Sequence, residues 1–276
     1  MAARRELGRW TPGHLVTVTV AALVLGFLIL PIFVVVPISF SQSALLQFPP
    51  KAWSLRWFDS YFSSSPWIDA TIMSFKVGAS VMLLSVLLAL PAAIGITRGS
   101  FRGRAVIQAI LLSPLIVPVI IIAVALYYAF SLFRLNGTYA GLVLGHTVLA
   151  LPYATVVIAA SLERMDPRLE QVAVSLGAHP FRAFYRVTLP LIRSGVAVAA
   201  FFAFLTSFDE VVMAIFITGP QTLTLPKKMW DGIRFELDPT IAAVSTVLVL
   251  FSWVLVLLGE AIRRRVDVVT AYKAAR

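Results

Sequence analysis

The sequence predicts an all-α membrane protein, a bundle of six transmembrane helices. Two observations carry this. Hydrophobic residues make up 59% of the 276-residue chain and charged residues only 13%, about half of what a soluble domain carries. Six apolar runs lie evenly along it, at about 15–38, 70–97, 106–130, 140–162, 192–217 and 240–262. Each is long enough to cross a bilayer, which takes about 20 residues. No stretch alternates with the period of a strand, so a barrel is not expected. With no internal repeat, residues 1–276 read as a single transmembrane domain.

The first run follows a basic start at Arg4, Arg5 and Arg9. It is longer than the apolar core of a secretory signal, and Ser39–Ser43 makes a poor cleavage site, so it reads as a retained span. Pro31, Pro37, Pro91, Pro114, Pro118 and Pro152 interrupt the runs and are expected to kink helices inside a bundle.

Orientation follows from lysine and arginine in the loops. Most of the 23 basic residues fall on one side if both termini are cytoplasmic. That side holds the N-terminal arginines, Arg98, Arg102 and Arg104, five arginines between Arg164 and Arg193, and the basic C-terminal stretch. The net charge of +10 is therefore a topology signal and points away from a nucleic-acid partner. The chain has no cysteine, which removes disulfides and thiolate chemistry. The outer loop at 39–69 carries Trp53, Trp57, Phe58, Tyr61, Phe62 and Trp67, an aromatic set suited to the headgroup level.

The cytoplasmic loop at 163–191 is the most informative stretch. A simple connection needs only a few residues, and this one is patterned. Asp166 is placed to cap a helix whose first position is Pro167. Leu169, Val172, Ala173 and Leu176 then recur on one face, and Gly177 follows where a left-handed cap is expected. Phe181, Phe184, Tyr185 and Thr188 repeat the spacing before Leu189-Pro190. The pattern predicts two short amphipathic helices joined at 177–180. Such an element lies on a membrane surface or docks into a groove on a soluble partner.

This loop resembles the one shared by permease subunits of binding-protein-dependent ABC importers. The family pattern is Glu-Ala-Ala, three residues, Gly, nine residues, Ile-x-Leu-Pro. Here Gln171-Val172-Ala173, Gly177 and Val187-Thr188-Leu189-Pro190 keep every spacing, with Gln171 and Val172 departing from the pattern and Glu170 standing next door. The resemblance covers about 10–265 and implies a type I importer permease bundle in a bacterial inner membrane. It assigns ATPase coupling to Glu170, Gln171, Ala173, Ser175, Gly177 and Ala178. It also implies partners: a second permease subunit, two ATPase subunits holding ATP and magnesium, an external solute-binding protein, and lipid. Ser207-Phe208-Asp209-Glu210, Thr218-Gly219-Pro220, Thr224-Leu225-Pro226 and the phrase 145–153 look like the spermidine/putrescine branch. Other organic cations, amino-acid derivatives and phosphonate-like solutes remain alternatives.

Ionisable residues inside spans face a cavity or a partner. Asp209 and Glu210 sit in the fifth run, where a carboxylate suits a polyamine ammonium group. Adjacent helical residues point about 100° apart, so Asp209 is the preferred pathway residue, with Glu210 and Tyr127 as further candidates. A structural pair, with Lys76 or a neighbouring subunit, is the alternative. His146 has no second metal ligand at useful spacing and reads as a satisfied polar group. Asp231, Glu236 and Asp238 fall in the last outer loop, where a binding protein or solvent meets them. No phosphate loop ending in Gly-Lys-Ser/Thr and no nucleophile–base constellation is present, so the chain is expected to be non-catalytic and to carry no cofactor. A secondary transporter driven by an ion gradient is the competing class. It predicts an internal repeat and paired broken helices besides midplane carboxylates, and only the carboxylates are legible.

Overall fold

The computed structural model describes residues 12–236, 238–254 and 257, and every regular element among them is helical. The basic residues at the two ends of the chain, and the end of the sixth run, lie outside the described residues. The chain divides into two compact units, one of residues 1–64 with 232–276 and one of Ser65–Asp231.

In the first unit, α1 (Pro12–Ser39) continues through Pro31 and Pro37 and presents Leu23, Phe27 and Phe33 outward. Continuous apolar exposure of this kind is what a lipid-facing helix needs, since its backbone is satisfied internally. The following loop folds back on itself. Ser54 donates its N–H to Phe40 O at 2.7 Å, and Arg56 Nη1 donates to Gln42 O at 3.1 Å. The loop carries α2 (Arg56–Ser63), where Trp57 and Tyr61 are buried while Trp53 and Phe62 stay exposed. The aromatic set expected at the headgroup level thus splits between core and surface. The last described helix, α12 (Thr240–Val254), begins where Asp238 Oδ1 accepts the N–H of Thr240 at 2.9 Å.

The second unit holds α3 (Ser65–Arg98), α4 (Arg104–Leu112), α5 (Val119–Leu132), α6 (Tyr139–Glu163), α7 (Arg168–Ser175), α8 (Pro180–Ala183), α9 (Leu189–Phe208), α10 (Val212–Ile217) and α11 (Leu225–Asp231). Helices α3, α6 and α9 pack on one another along their lengths. Small residues line their contacts: Ala89 and Ala93 on α3, Ala154 on α6, Ala199 on α9. With no hydrophobic drive between helices in lipid, close backbone approach supplies the packing energy. A second core joins Val77 and Val81 to Phe130, Leu142, Leu149, Met213 and Ile217, which seats α5 and α10 against α3 and α6.

Among the described residues four helices are long and apolar enough to cross a membrane: residues 14–39, 65–98, 139–163 and 180–208. They answer to the first, second, fourth and fifth predicted runs. Three details differ from the sequence expectation. The third run breaks where a kink was expected, with α4 and α5 meeting at 105°. Pro118 lacks an N–H and disfavours a helical conformation at Val117, so the N–H groups of Ile116 and Val117 both turn back to Ser113 O. The fifth run also breaks, at Asp209–Val211, between α9 and α10. Finally, the second short helix of the loop is not separate. α8 runs through a π turn at Phe184–Thr188 into α9, forming one helix over Pro180–Phe208. Pro190 offers no N–H to the preceding turn and crowds its carbonyl, and a π turn is one way a helix absorbs that.

A close crossing is at Gly195 of α9. A Cβ there would lie 1.8 Å from Ser161 Oγ and 2.6 Å from Ser161 Cβ on α6. The hydroxyl can rotate away but the Cβ cannot. Gly195→Ala is expected to lower stability by about 1–3 kcal/mol, the usual cost of overpacking. Adding Ser161→Gly should restore the thermal midpoint of the detergent-solubilised protein.

Candidate functional site

The loop hairpin is built from local signals that the sequence displays. Asp166 Oδ1 accepts the N–H of Arg168 at 2.9 Å and so caps α7 one residue beyond Pro167. At the other end Gly177 takes φ +91°. The N–H of Gly177 bonds Val174 O at 2.9 Å, and that of Ala178 bonds Ala173 O at 3.1 Å. These two bonds and the left-handed residue form a Schellman cap. The ring of His179 then accepts the N–H of Phe181 at Nδ1, 3.3 Å away, and starts α8. The chain reverses within a few residues, each with a defined role.

One carboxylate ties this hairpin to the bundle. Glu170, in the first turn of α7, receives a charged hydrogen bond from Arg98 Nη1 at the end of α3. The same oxygen accepts from Thr188 Oγ1 at 2.5 Å, and Thr188 is fully buried in the π turn. Both charges also sit at favourable helix ends, the acid near an N-terminus and the base near a C-terminus. Three chain segments therefore meet at one oxygen. Two of them, the end of α3 and α7, border a cleft of about 640 Å³ lined by Thr97, Arg98, Pro167, Glu170, Gln171, Val174 and Ser175.

The other predicted coupling residues face outward or sit half-buried. Gln171, Ser175 and Gly177 are exposed, and Ala173 and Ala178 are half-buried. Ser175 Oγ donates to Gln171 O at 3.0 Å, within the helix. The predicted apolar face is largely uncovered, with Leu169, Val172 and Leu176 exposed, joined by Phe181 and Tyr185 from α8 and the π turn. The sequence reading missed Arg98 and Thr188. Arg98 reads only as one of a basic cluster, and no spacing rule connects position 98 to position 170.

The second set of predicted residues lies at the break in the fifth run. Asp209 is exposed, and its carboxylate makes no hydrogen bond or ion pair among the described residues. Glu210 is half-buried, and its Oε1 accepts the N–H of Met213 at 2.8 Å, in the first turn of α10. The two carboxylates thus divide: Glu210 satisfies backbone freed by the break, and Asp209 is left open. Lys76 pairs with neither among the described residues. Tyr127 lies on α5, which packs against α10, and its carbonyl accepts from Asn136 Nδ2 at 3.0 Å and Ser131 Oγ at 2.8 Å. No hydrogen bond joins it to Asp209 or Glu210 among the described residues. His146 is fully buried and bonds Ser207 just before the break. In the last predicted outer loop Asp231 pairs with Lys227 at 2.6 Å within α11. Among the described residues no group of histidine and acidic side chains is placed to hold a metal ion.

Long apolar helices, two of them joined by an ordered hairpin, define a multi-pass membrane protein. The chain belongs to the binding-protein-dependent transport system inner membrane components, which it matches over residues 84–268. It is a permease subunit of an ABC importer in the bacterial inner membrane. Spermidine/putrescine transport system permease protein PotC of Haemophilus influenzae is 28% identical over 242 residues, covering 88% of this chain and 94% of that protein. Putrescine transport system permease protein PotI of Escherichia coli is 29% identical over 238 residues, covering 83% and 84%. Among solved structures, a bacterial ABC transporter that imports the acidic polysaccharide alginate aligns with TM-score 0.73 at 12% identity, over 92% of this chain and 98% of that one. The alginate transporter in complex with its alginate pentasaccharide-bound periplasmic protein aligns at 0.67 and 19%, over 91% and 94%. The structures share the fold.

Removing the shared carboxylate should loosen the hairpin without unfolding the bundle. Glu170→Ala leaves Arg98 and Thr188 without their acceptor, a loss of about 1–3 kcal/mol. Hydrogen exchange across residues 168–178 is expected to speed up several-fold, with α6 unchanged. The absence of native cysteine permits a second check. Asp209→Cys should react with a small polar thiol reagent faster than Glu210→Cys.

Proposed function

We propose that this permease carries a polyamine such as spermidine or putrescine, drawn through the membrane by ATP hydrolysis on partner chains. The single observation that carries the solute reading is Asp209, an exposed carboxylate, unpaired among the described residues, at a break in an otherwise apolar helix. An ammonium group leaving water needs such a partner. Relatives named for spermidine and putrescine transport, similar along most of the chain, support the same reading.

In this account the whole chain, 1–276, works as one permease domain of six spans with both termini cytoplasmic. The broken third run and the shorter α12 serve as its third and sixth spans. A second permease subunit, a distinct homologue, completes the pathway between the two bundles. Two ATPase subunits hold ATP and magnesium and receive the exposed apolar face of α7, while an external binding protein delivers the solute. Gln171, Ala173, Ser175, Gly177 and Ala178 form the surface met by the ATPase. Glu170, which lines the cleft beside Gln171 and Ser175, transmits the push to Arg98 and Thr188. From Leu189 to Phe208 α9 has 20 residues, so at about 1.5 Å per residue its two ends lie roughly 30 Å apart. Coupling hairpin and recognition carboxylate thus sit at opposite ends of one helix. Asp209 binds the solute, Glu210 shapes the break, and Tyr127 lines the approach.

Reconstitution into proteoliposomes tests this. Uptake of radiolabelled spermidine or putrescine should require ATP inside, the partner ATPase and the binding protein. Uptake driven by an ion gradient alone would refute the proposal. A substitution at the turn tests the coupling role separately. Nothing lies within 4 Å of a Cβ at Gly177, but its φ of +91° disfavours any L side chain, at a cost of about 1–2 kcal/mol. Gly177→Val should leave membrane insertion intact, keep ATP hydrolysis, and lower uptake per ATP at least several-fold. Normal uptake per ATP would show that the turn is not part of the coupling.

A further inference from the structure

We propose that His146 is a positioning residue for solute recognition, fixing where Asp209 stands. The inference rests on the pathway reading of Asp209 and deepens it. In an unbroken helix the carbonyl of Ser207 would accept the N–H of Val211. At the break it receives the N–H of Glu210 at a long 3.4 Å. His146, reaching across from α6 and fully buried, brings Nδ1 to 3.1 Å from Ser207 O and 3.0 Å from Ser207 Oγ. A carbonyl only accepts, so its bond places the ring proton on Nδ1. That leaves Nε2, buried and without a partner among the described residues, as a bare acceptor instead of an orphaned donor.

The neighbouring residue grips the far side of the same break. A Cβ on Gly145 would lie 3.0 Å from Ile217 Cδ1 and 3.4 Å from Met213 Cγ, so glycine is what lets α10 lie this close to α6. Consecutive residues of α6 therefore hold both halves of the broken span, α9 by a hydrogen bond and α10 by packing. Only three residues, 209–211, run between them. Glu210 is occupied with the N–H of Met213, so the carboxylate whose position this seat determines is Asp209. A recognition group held on a fixed frame loses less on binding than one that must first be ordered.

The test measures apparent KM and maximal rate for spermidine or putrescine uptake in the reconstituted transporter. His146→Leu should raise KM about tenfold, the usual order for a lost buried hydrogen bond. His146→Asn, whose amide N–H can take the place of Nδ1–H, should return KM to within about twofold of the unmodified protein. His146→Gln, whose amide reaches instead toward the Nε2 position, should keep KM raised, and the Asn–Gln contrast decides the matter if the leucine variant does not assemble. In an Asp209→Asn background His146→Leu should raise KM no further, because both act through one carboxylate. Equal effects in the two backgrounds, an unchanged KM, or no difference between Asn and Gln would overturn the positioning role alone. An unchanged KM in Asp209→Asn by itself would instead overturn the pathway reading, and this inference with it.

Discussion

A single carboxylate oxygen on Glu170 joins three pieces of chain, one of them 72 positions away. It belongs to the first turn of α7, takes a charged hydrogen bond from Arg98 at the end of α3, and a short one from buried Thr188 at the root of α9. Charge-assisted bonds of this kind are worth more than neutral ones. The side chains of Glu170 and Arg98 are only 23% and 25% exposed, which limits screening by solvent. Without this junction α7 would be a short amphipathic helix on a loop, free to tilt about its own ends. With it, a displacement of α7 reaches two of the three helices at the centre of the Ser65–Asp231 unit.

The π turn below Thr188 and the break above Ser207 bound the element that carries such a displacement. Between them α9 is a regular helix packed on α3 and α6 through small residues, and close packing of that sort favours discrete arrangements over continuous bending. Beyond it the break releases backbone groups that lipid cannot satisfy. Glu210 takes one of them and His146 another. The two adjacent acids therefore differ: Glu210 is tied to the backbone of α10, and the exposed Asp209 makes no such bond among the described residues.

Much of this was legible in the sequence, for local reasons. The long apolar helices follow from composition and run length. Asp166, Pro167 and Gly177 announce the ends of α7 because capping is a matter of a few neighbouring residues. The departures arise where the deciding partner is distant or where backbone strain chooses among outcomes. Pro114 and Pro118 signal a disturbance, but whether a proline pair kinks a span or breaks it depends on what packs around it. Pro190 likewise marks a disturbance without revealing that α8 would continue into α9. Glu170 stands beside the family's expected position, and its role depends on Arg98, 72 positions away, a pairing that no periodicity encodes. His146 is visible as a buried polar residue, while its partner is a backbone carbonyl exposed only by the break.

If Glu170 couples the hairpin to the bundle as proposed, α7 and the root of α9 move as one body when the transporter binds ATP. Electron–electron distance measurements between nitroxide labels at Ser175→Cys and Leu191→Cys, in the assembled transporter with and without trapped ATP, address it directly. One narrow distance, the same in both states, is expected, with a broad distribution once Glu170→Ala is added. A distance that shifts by several ångströms between the two states, with Glu170 intact, would contradict it.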